Sequence, residues 1–120
     1  MLTRCQNRKR YKVKIKMAGE QAVIIEFNYG LDEDEPFYEL SDKLRTLVDG
    51  SELGEYDGHE ISMDNSDGSF YLYGPDAKML YELIRNTIEK TPFMEGANII
   101  LRFGPPEKGV KEISFILNLN

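Results

Sequence analysis

Apolar positions along the chain follow two periods, one near 2 and one near 3.6, and the switches between them outline the elements. Residues 22–29 (AVIIEFNY) are β-branched and aromatic and run into Gly30, which predicts a strand. The acidic loop LDEDEP follows. Pro36 suits the first turn of a helix, and the preceding acids suit a helix N-terminus. Phe37, Leu40, Leu44 and Leu47/Val48 then recur at helical spacing until Asp49-Gly50, which predicts a helix over 36–49. The polar stretch SELGEYDGHE reads as a loop hinged at Gly54 and Gly58. Beyond it, Ile61 and Met63 alternate with Ser62 and Asp64, predicting a strand over 59–64. Asn65-Ser66-Asp67-Gly68 is turn chemistry between two alternating segments, and Phe70 to Tyr73 is the return strand of that hairpin.

Gly74-Pro75-Asp76 changes the period back to 3.6. Pro75 is placed to open a second helix, with Asp76 complementing its dipole. Ala77, Leu80, Tyr81, Ile84 and Ile88 form its stripe, and Pro92 stops it by Thr91. Residues 98–103 (NIILRF) and 112–117 (EISFIL) are strands separated by GPPEKG. The order β-α-β-β-α-β plus one further strand predicts an α+β, ferredoxin-like split βαβ sandwich, with both helices on one antiparallel sheet. Its first and third strands should be central, and its last strand should pair with the fourth and extend an edge.

Charge divides this picture. The formal net charge is −6, yet residues 1–17 hold seven bases (Arg4, Arg8, Lys9, Arg10, Lys12, Lys14 and Lys16) and no acid, so the rest of the chain carries −13. The expected organisation is therefore a basic arm over 1–17 and one domain over 18–120. The arm reads either as an extra strand, since Tyr11, Val13, Ile15 and Met17 alternate with lysines, or as a leader ahead of a start at Met17. A domain of −13 repels polyanions, which disfavours nucleic acid as a partner. No apolar run reaches the roughly 18 residues of a membrane helix, and the basic N-terminus lacks the apolar core of a signal peptide. With the single Cys5, these features predict a cytoplasmic protein held in a reducing compartment, with no membrane partner.

Chemistry-bearing motifs are sparse. His59 is the only histidine and is flanked by Asp57 and Glu60, so a general base or half a metal site is conceivable there. A small enzyme or metal-dependent hydrolase would be built on that trio. Against it stands the lack of a second histidine or of a cysteine pair at ligand spacing. Asp64-Asn65-Ser66-Asp67-Gly68 fails the calcium-loop pattern and is explained by the hairpin turn. The glycines form no phosphate loop. No cofactor is expected.

Alternation supplies a different candidate. If Phe70 and Leu72 face the helices, Tyr71 and Tyr73 face the other way, as do Ile24, Ile100, Arg102 and Ile116. RNA-recognition modules stack bases on such a face. The acidic body and the single base Arg102 argue instead for burial against a second copy or another protein. The expected function is thus a non-enzymatic binding or regulatory module, homodimeric or bound to a protein partner, acting through its open sheet face or a free edge strand. Nucleic-acid binding through the basic arm is the remaining alternative.

The runs Glu55-Tyr56-Asp57-Gly58-His59-Glu60-Ile61, Leu72-Tyr73-Gly74-Pro75-Asp76-Ala77 and Leu101-Arg102-Phe103-Gly104 together resemble a group of small uncharacterised bacterial proteins. In that group an EYDGHEI segment, a short turn, YLYGPDA, an amphipathic helix and a closing LRYG-type strand follow one another. The resemblance spans about residues 22–117 and leaves out the basic arm. It implies a bacterial origin and a ferredoxin-like fold, and it carries no activity.

Overall fold

The computed structural model describes residues 20–119. The predicted basic arm lies outside the described residues. Seven elements follow in order: β1 (Gln21–Asn28), α1 (Glu35–Asp49), β2 (Glu55–Ile61), β3 (Asp67–Gly74), α2 (Ala77–Glu89), β4 (Asn98–Arg102) and β5 (Glu112–Ile116). A short 3-10 turn, Pro92–Met94, precedes β4. The strands form one antiparallel sheet in the order β2-β3-β1-β4-β5. β3, β1 and β4 therefore lie inside, and among the described residues β5 forms an edge beside β4.

Both helices pack on one face of the sheet. α1 buries Phe37, Leu40, Leu44 and Val48, and α2 buries Ala77, Leu80, Tyr81, Ile84 and Ile88. These stripes meet Val23, Ile25 and Phe27 of β1, Phe70 and Leu72 of β3, and Ile99 and Leu101 of β4 in a single core. Phe70 sits between two other rings. It stacks on Phe37 at a centroid distance of 5.2 Å and on Phe27 at 5.1 Å. Each such fully buried side chain contributes about 1.5–3 kcal/mol of transfer free energy, so the layered arrangement, rather than helix propensity, holds α1 and α2 in place.

The structure corrects several boundaries. β2 begins at Glu55, four residues before its predicted start, and ends at Ile61. Met63 is not in a strand; it is 72% exposed in the turn. The segment EYDG reads as a loop because it carries two acids and a glycine, yet pairing with β3 overrides that local preference. A register shift between Tyr56 and Gly58 accommodates the extra residue Asp57 as a bulge.

The hairpin turn also lies earlier than expected, and β3 starts at Asp67. Asn65 adopts the left-handed conformation at φ 61°, which Asn tolerates better than most residues. Its Nδ2 donates to the Leu31 carbonyl at 3.1 Å and to Asp34 Oδ1 at 2.9 Å, tying the turn to the acidic loop before α1. Asp76 is the N-cap of α2 rather than a first-turn acid. Its carboxylate accepts the Met79 N–H at 3.0 Å.

One close approach fixes the junction of β2 and β3. A Cβ on Gly74 would lie 2.2 Å from the Leu53 carbonyl oxygen, and one on Gly54 would lie 2.3 Å from the Tyr73 carbonyl oxygen. Two backbones pass there with no room for a side chain on either.

Candidate functional site

Register places the predicted face residues in rows across the sheet, on the side away from the helices. One row runs Glu55, Tyr73, Ala22, Arg102, Glu112 through five paired strands. The next runs Gly58, Tyr71, Ile24, Ile100, Ser114, and the third runs Glu60, Ser69, Glu26, Asn98, Ile116. Tyr71, Ile24 and Ile100 are thus neighbours across three strands at the roughly 4.8 Å spacing of adjacent strands, and Tyr73 lies two residues along β3 from Tyr71. Glutamates at positions 55, 60, 26 and 112 surround them. Tyr71, Tyr73, Ile24 and Ile100 are partly buried, whereas Ile116 on the edge strand is 62% exposed.

Arg102 does not act as a free base on this face. It is only 8% exposed, and its Nε donates to the Gly104 carbonyl at 2.7 Å. Its guanidinium lies 5.9 Å from the centroid of the Tyr73 ring. Tyr73 and Arg102 sit on either side of Ala22 in the same row, so a residue with almost no side chain on β1 leaves the space they meet across. Ala22 has no exposed surface although it faces away from the helices.

The polar end of the face is concave. A hollow of about 400 Å³ is lined by Glu26, Asn28, Asp67, Ser69 and Asn98 among others, and a smaller one of about 210 Å³ next to it shares Asp67, Gly68 and Ser69. Within it, Asn98 Nδ2 donates to Glu26 Oε1 at 3.2 Å. Asp64, in the turn beside it, accepts from Ser62 Oγ and from the Ser66 N–H, both at 3.0 Å. The hydrogen bonds at Ser66 and Ser62 hold its carboxyl below the usual carboxylate range.

The trio His59, Asp57 and Glu60 is dispersed by strand geometry. His59 points to the helix side and is 7% exposed. Its ring meets Phe37 edge-on at 4.9 Å and Tyr38 at 5.7 Å. Glu60 pairs with Ser69 on the opposite face, where Tyr71 Oη approaches its carboxylate at 3.4 Å. Asp57 occupies the bulge. Among the described residues no group of three or more His, Cys, Asp or Glu is placed to hold a metal ion.

What His59 does join is a buried polar chain that sequence patterning missed. Tyr56 Oη lies 2.7 Å from Ser41 Oγ and 3.2 Å from His59 Nδ1. Ser41 is 1% exposed. Arg45, one turn further along α1, places its guanidinium 5.1 Å from the centroid of the Tyr56 ring. The available signal was Ser41 itself, a hydroxyl beside Leu40 and four residues from Phe37 on the apolar stripe of α1. A serine there needs a partner across the core.

No helix among the described residues is long and apolar enough to cross a membrane. No protein-family model matches the chain, and comparison with curated proteins and with solved structures returns no significant match.

Proposed function

We propose that this chain is a non-enzymatic binding or regulatory module of ferredoxin-like type, working in the cytoplasm and associating with a second copy or another protein through the face of its sheet. The observation that carries the reading is the central patch of Tyr71, Tyr73, Ile24 and Ile100, contiguous across three strands and surrounded by Glu26, Glu55, Glu60 and Glu112. Aromatic and aliphatic side chains at the centre with charges around them are the composition of a protein contact. Two helices over an antiparallel sheet support the ferredoxin-like assignment, and the fifth strand extends the sheet beyond the four strands of a split βαβ. The dispersal of His59, Asp57 and Glu60 onto different sides of β2 weighs against the hydrolase alternative.

Light scattering of the full chain tests the reading. The expected result is a mass above that of the monomer which falls back to one chain on Ile100→Glu, because a carboxylate placed at the centre of the patch is buried unpaired in the complex. A wild-type dimer that is indifferent to Ile100→Glu and to Tyr71→Glu would refute face-mediated association.

A further inference from the structure

The residues before β1 carry chemistry complementary to the open face. Glu26, Glu55, Glu60 and Glu112 surround the apolar centre of that face, and both helices lie on the other side of the sheet. Residues 1–17 hold seven bases and no acid, against −13 for the rest of the chain. Over 11–17 the pattern is Tyr-Lys-Val-Lys-Ile-Lys-Met. An extended segment with that pattern sets Tyr11, Val13, Ile15 and Met17 on one side and the lysines on the other. Its apolar row matches the centre of the face, and its charges are opposite in sign to those around it.

The point of attachment puts this segment beside the face. β1 starts at Gln21, and Ala22 lies in the row of Tyr73 and Arg102 at one end of the patch. From there β1 runs through Ile24 and Glu26 toward the polar end. A chain that turns back just before Gln21 retraces that path above the sheet. Stacked layers lie ~10 Å apart, and the residues Ala18-Gly19-Glu20 span about 10 Å when extended. Gly19 accepts the backbone angles of such a reversal. Residues 11–17 as a strand then cover about 23 Å, enough to pass over Ala22, Ile24 and Glu26, which extend over about 13 Å.

We propose that residues 11–17 of the same chain lie as a strap across the open face, their apolar side on Ile24, Tyr71 and Ile100 and their lysines toward the surrounding glutamates. Lysine stems let the ammonium groups bend past the strap to the carboxylates while their methylenes stay on apolar surface. At the far end, Arg10 and Lys12 come to the hollow lined by Glu26, Asp67 and Asn98. A tethered segment acts at an effective concentration of the order of millimolar. A contact too small to join two separate molecules is therefore enough to hold the strap. A second copy or another partner must displace it to reach the face. The strap regulates the proposed binding surface, so the inference rests on that reading of the face and adds its control by the chain's own arm.

Paramagnetic broadening of NMR signals tests the strap in the full chain. With Cys5→Ser as background and a nitroxide on Lys14→Cys, the amides of Ile24, Tyr71 and Ile100 should lose intensity. Those of Arg45 and Arg85, on the helices across the sheet, should keep theirs. Lys12→Gln with Lys16→Gln, and separately Val13→Asn with Ile15→Asn, should each restore the lost intensity. Light scattering at matched concentration should give both double variants a higher mean mass than the wild-type chain, because their faces are covered less of the time. Face amides that keep full intensity in the labelled chain overturn the strap, as does broadening that survives both pairs of substitutions. So does equal broadening imposed by a nitroxide-labelled chain on a separate isotope-labelled one, because the arm then lies on another copy. If the strap is overturned while a wild-type dimer is dissolved by Ile100→Glu, the face reading stands and its control by the arm fails. A strap that forms while both double variants stay monomeric supports the strap and removes the second copy as the partner.

Discussion

Replacing Tyr56 by Phe keeps the ring and removes a single oxygen from the centre of the buried chain Ser41–Tyr56–His59. The ring would still fill its place beneath Arg45, so packing and the cation–π contact are preserved. What is lost is one hydrogen-bond partner of each of two buried groups, the Ser41 hydroxyl at 2.7 Å and His59 Nδ1 at 3.2 Å. Removing a hydrogen-bond partner from a buried polar group costs about 1–3 kcal/mol. Ser41 can recover part of this by turning its hydroxyl to a carbonyl one turn back in α1, so its share falls at the low end. A net loss of about 2 kcal/mol is expected, or roughly 10 °C in Tm for a folded unit near 100 residues. Urea unfolding with an unchanged m-value would measure it. Because both bonds run through one oxygen, Ser41→Ala and Tyr56→Phe should be non-additive, the double variant costing about 0.5–1.5 kcal/mol less than the sum. A Tyr56→Phe loss under about 0.5 kcal/mol, or strict additivity, would show that the chain does not stabilise the α1–β2 packing as argued.

Two glycine substitutions should separate steric from conformational cost. Gly74→Ala drives a Cβ to 2.2 Å from the Leu53 carbonyl oxygen and should cost about 3 kcal/mol or more, whereas Gly96→Ala meets nothing within 4 Å and carries only the penalty of φ +83°, about 1–2 kcal/mol. Thermal melts that rank them the other way would contradict the close approach of β2 and β3. Asp64 supplies a pH dependence. Its carboxyl is held below the usual range in the folded state, so its stabilising effect is present above the unfolded pKa and is lost as pH falls through the folded value. Acid titration followed by NMR should give Asp64 a midpoint below the ordinary aspartate value, and Ser66→Ala should move it back up only in part, because the Ser66 N–H bond survives.

The amino-acid sequence by itself determined the elements whose signals are local. The helices were legible because Phe37, Leu40, Leu44 and Val48, and then Leu80, Ile84 and Ile88, repeat at the helical period over three turns or more. The hairpin was legible because Asn65-Ser66 and the polar residues around them are turn chemistry, although its turn lies earlier than the Asn65–Gly68 expected. Alternation along β1, β3 and β4 was enough to sort Tyr71, Tyr73, Ile24 and Ile100 onto one face. Tertiary structure decided what depends on residues distant in sequence. The EYDG half of β2 became strand because β3 lies beside it, which no property of its own residues requires. His59 parted from Glu60 because adjacent strand residues face opposite sides, and it gained instead Tyr56 and, through it, Ser41, eighteen residues away on another element. Arg102 was legible as the one base on the open face, yet Gly104 and the Tyr73 ring engage it across the gap left by Ala22. Period and turn chemistry act over a few residues and can be read along a chain. The partner of a side chain is set by strand order and register, which exist only once the chain has folded.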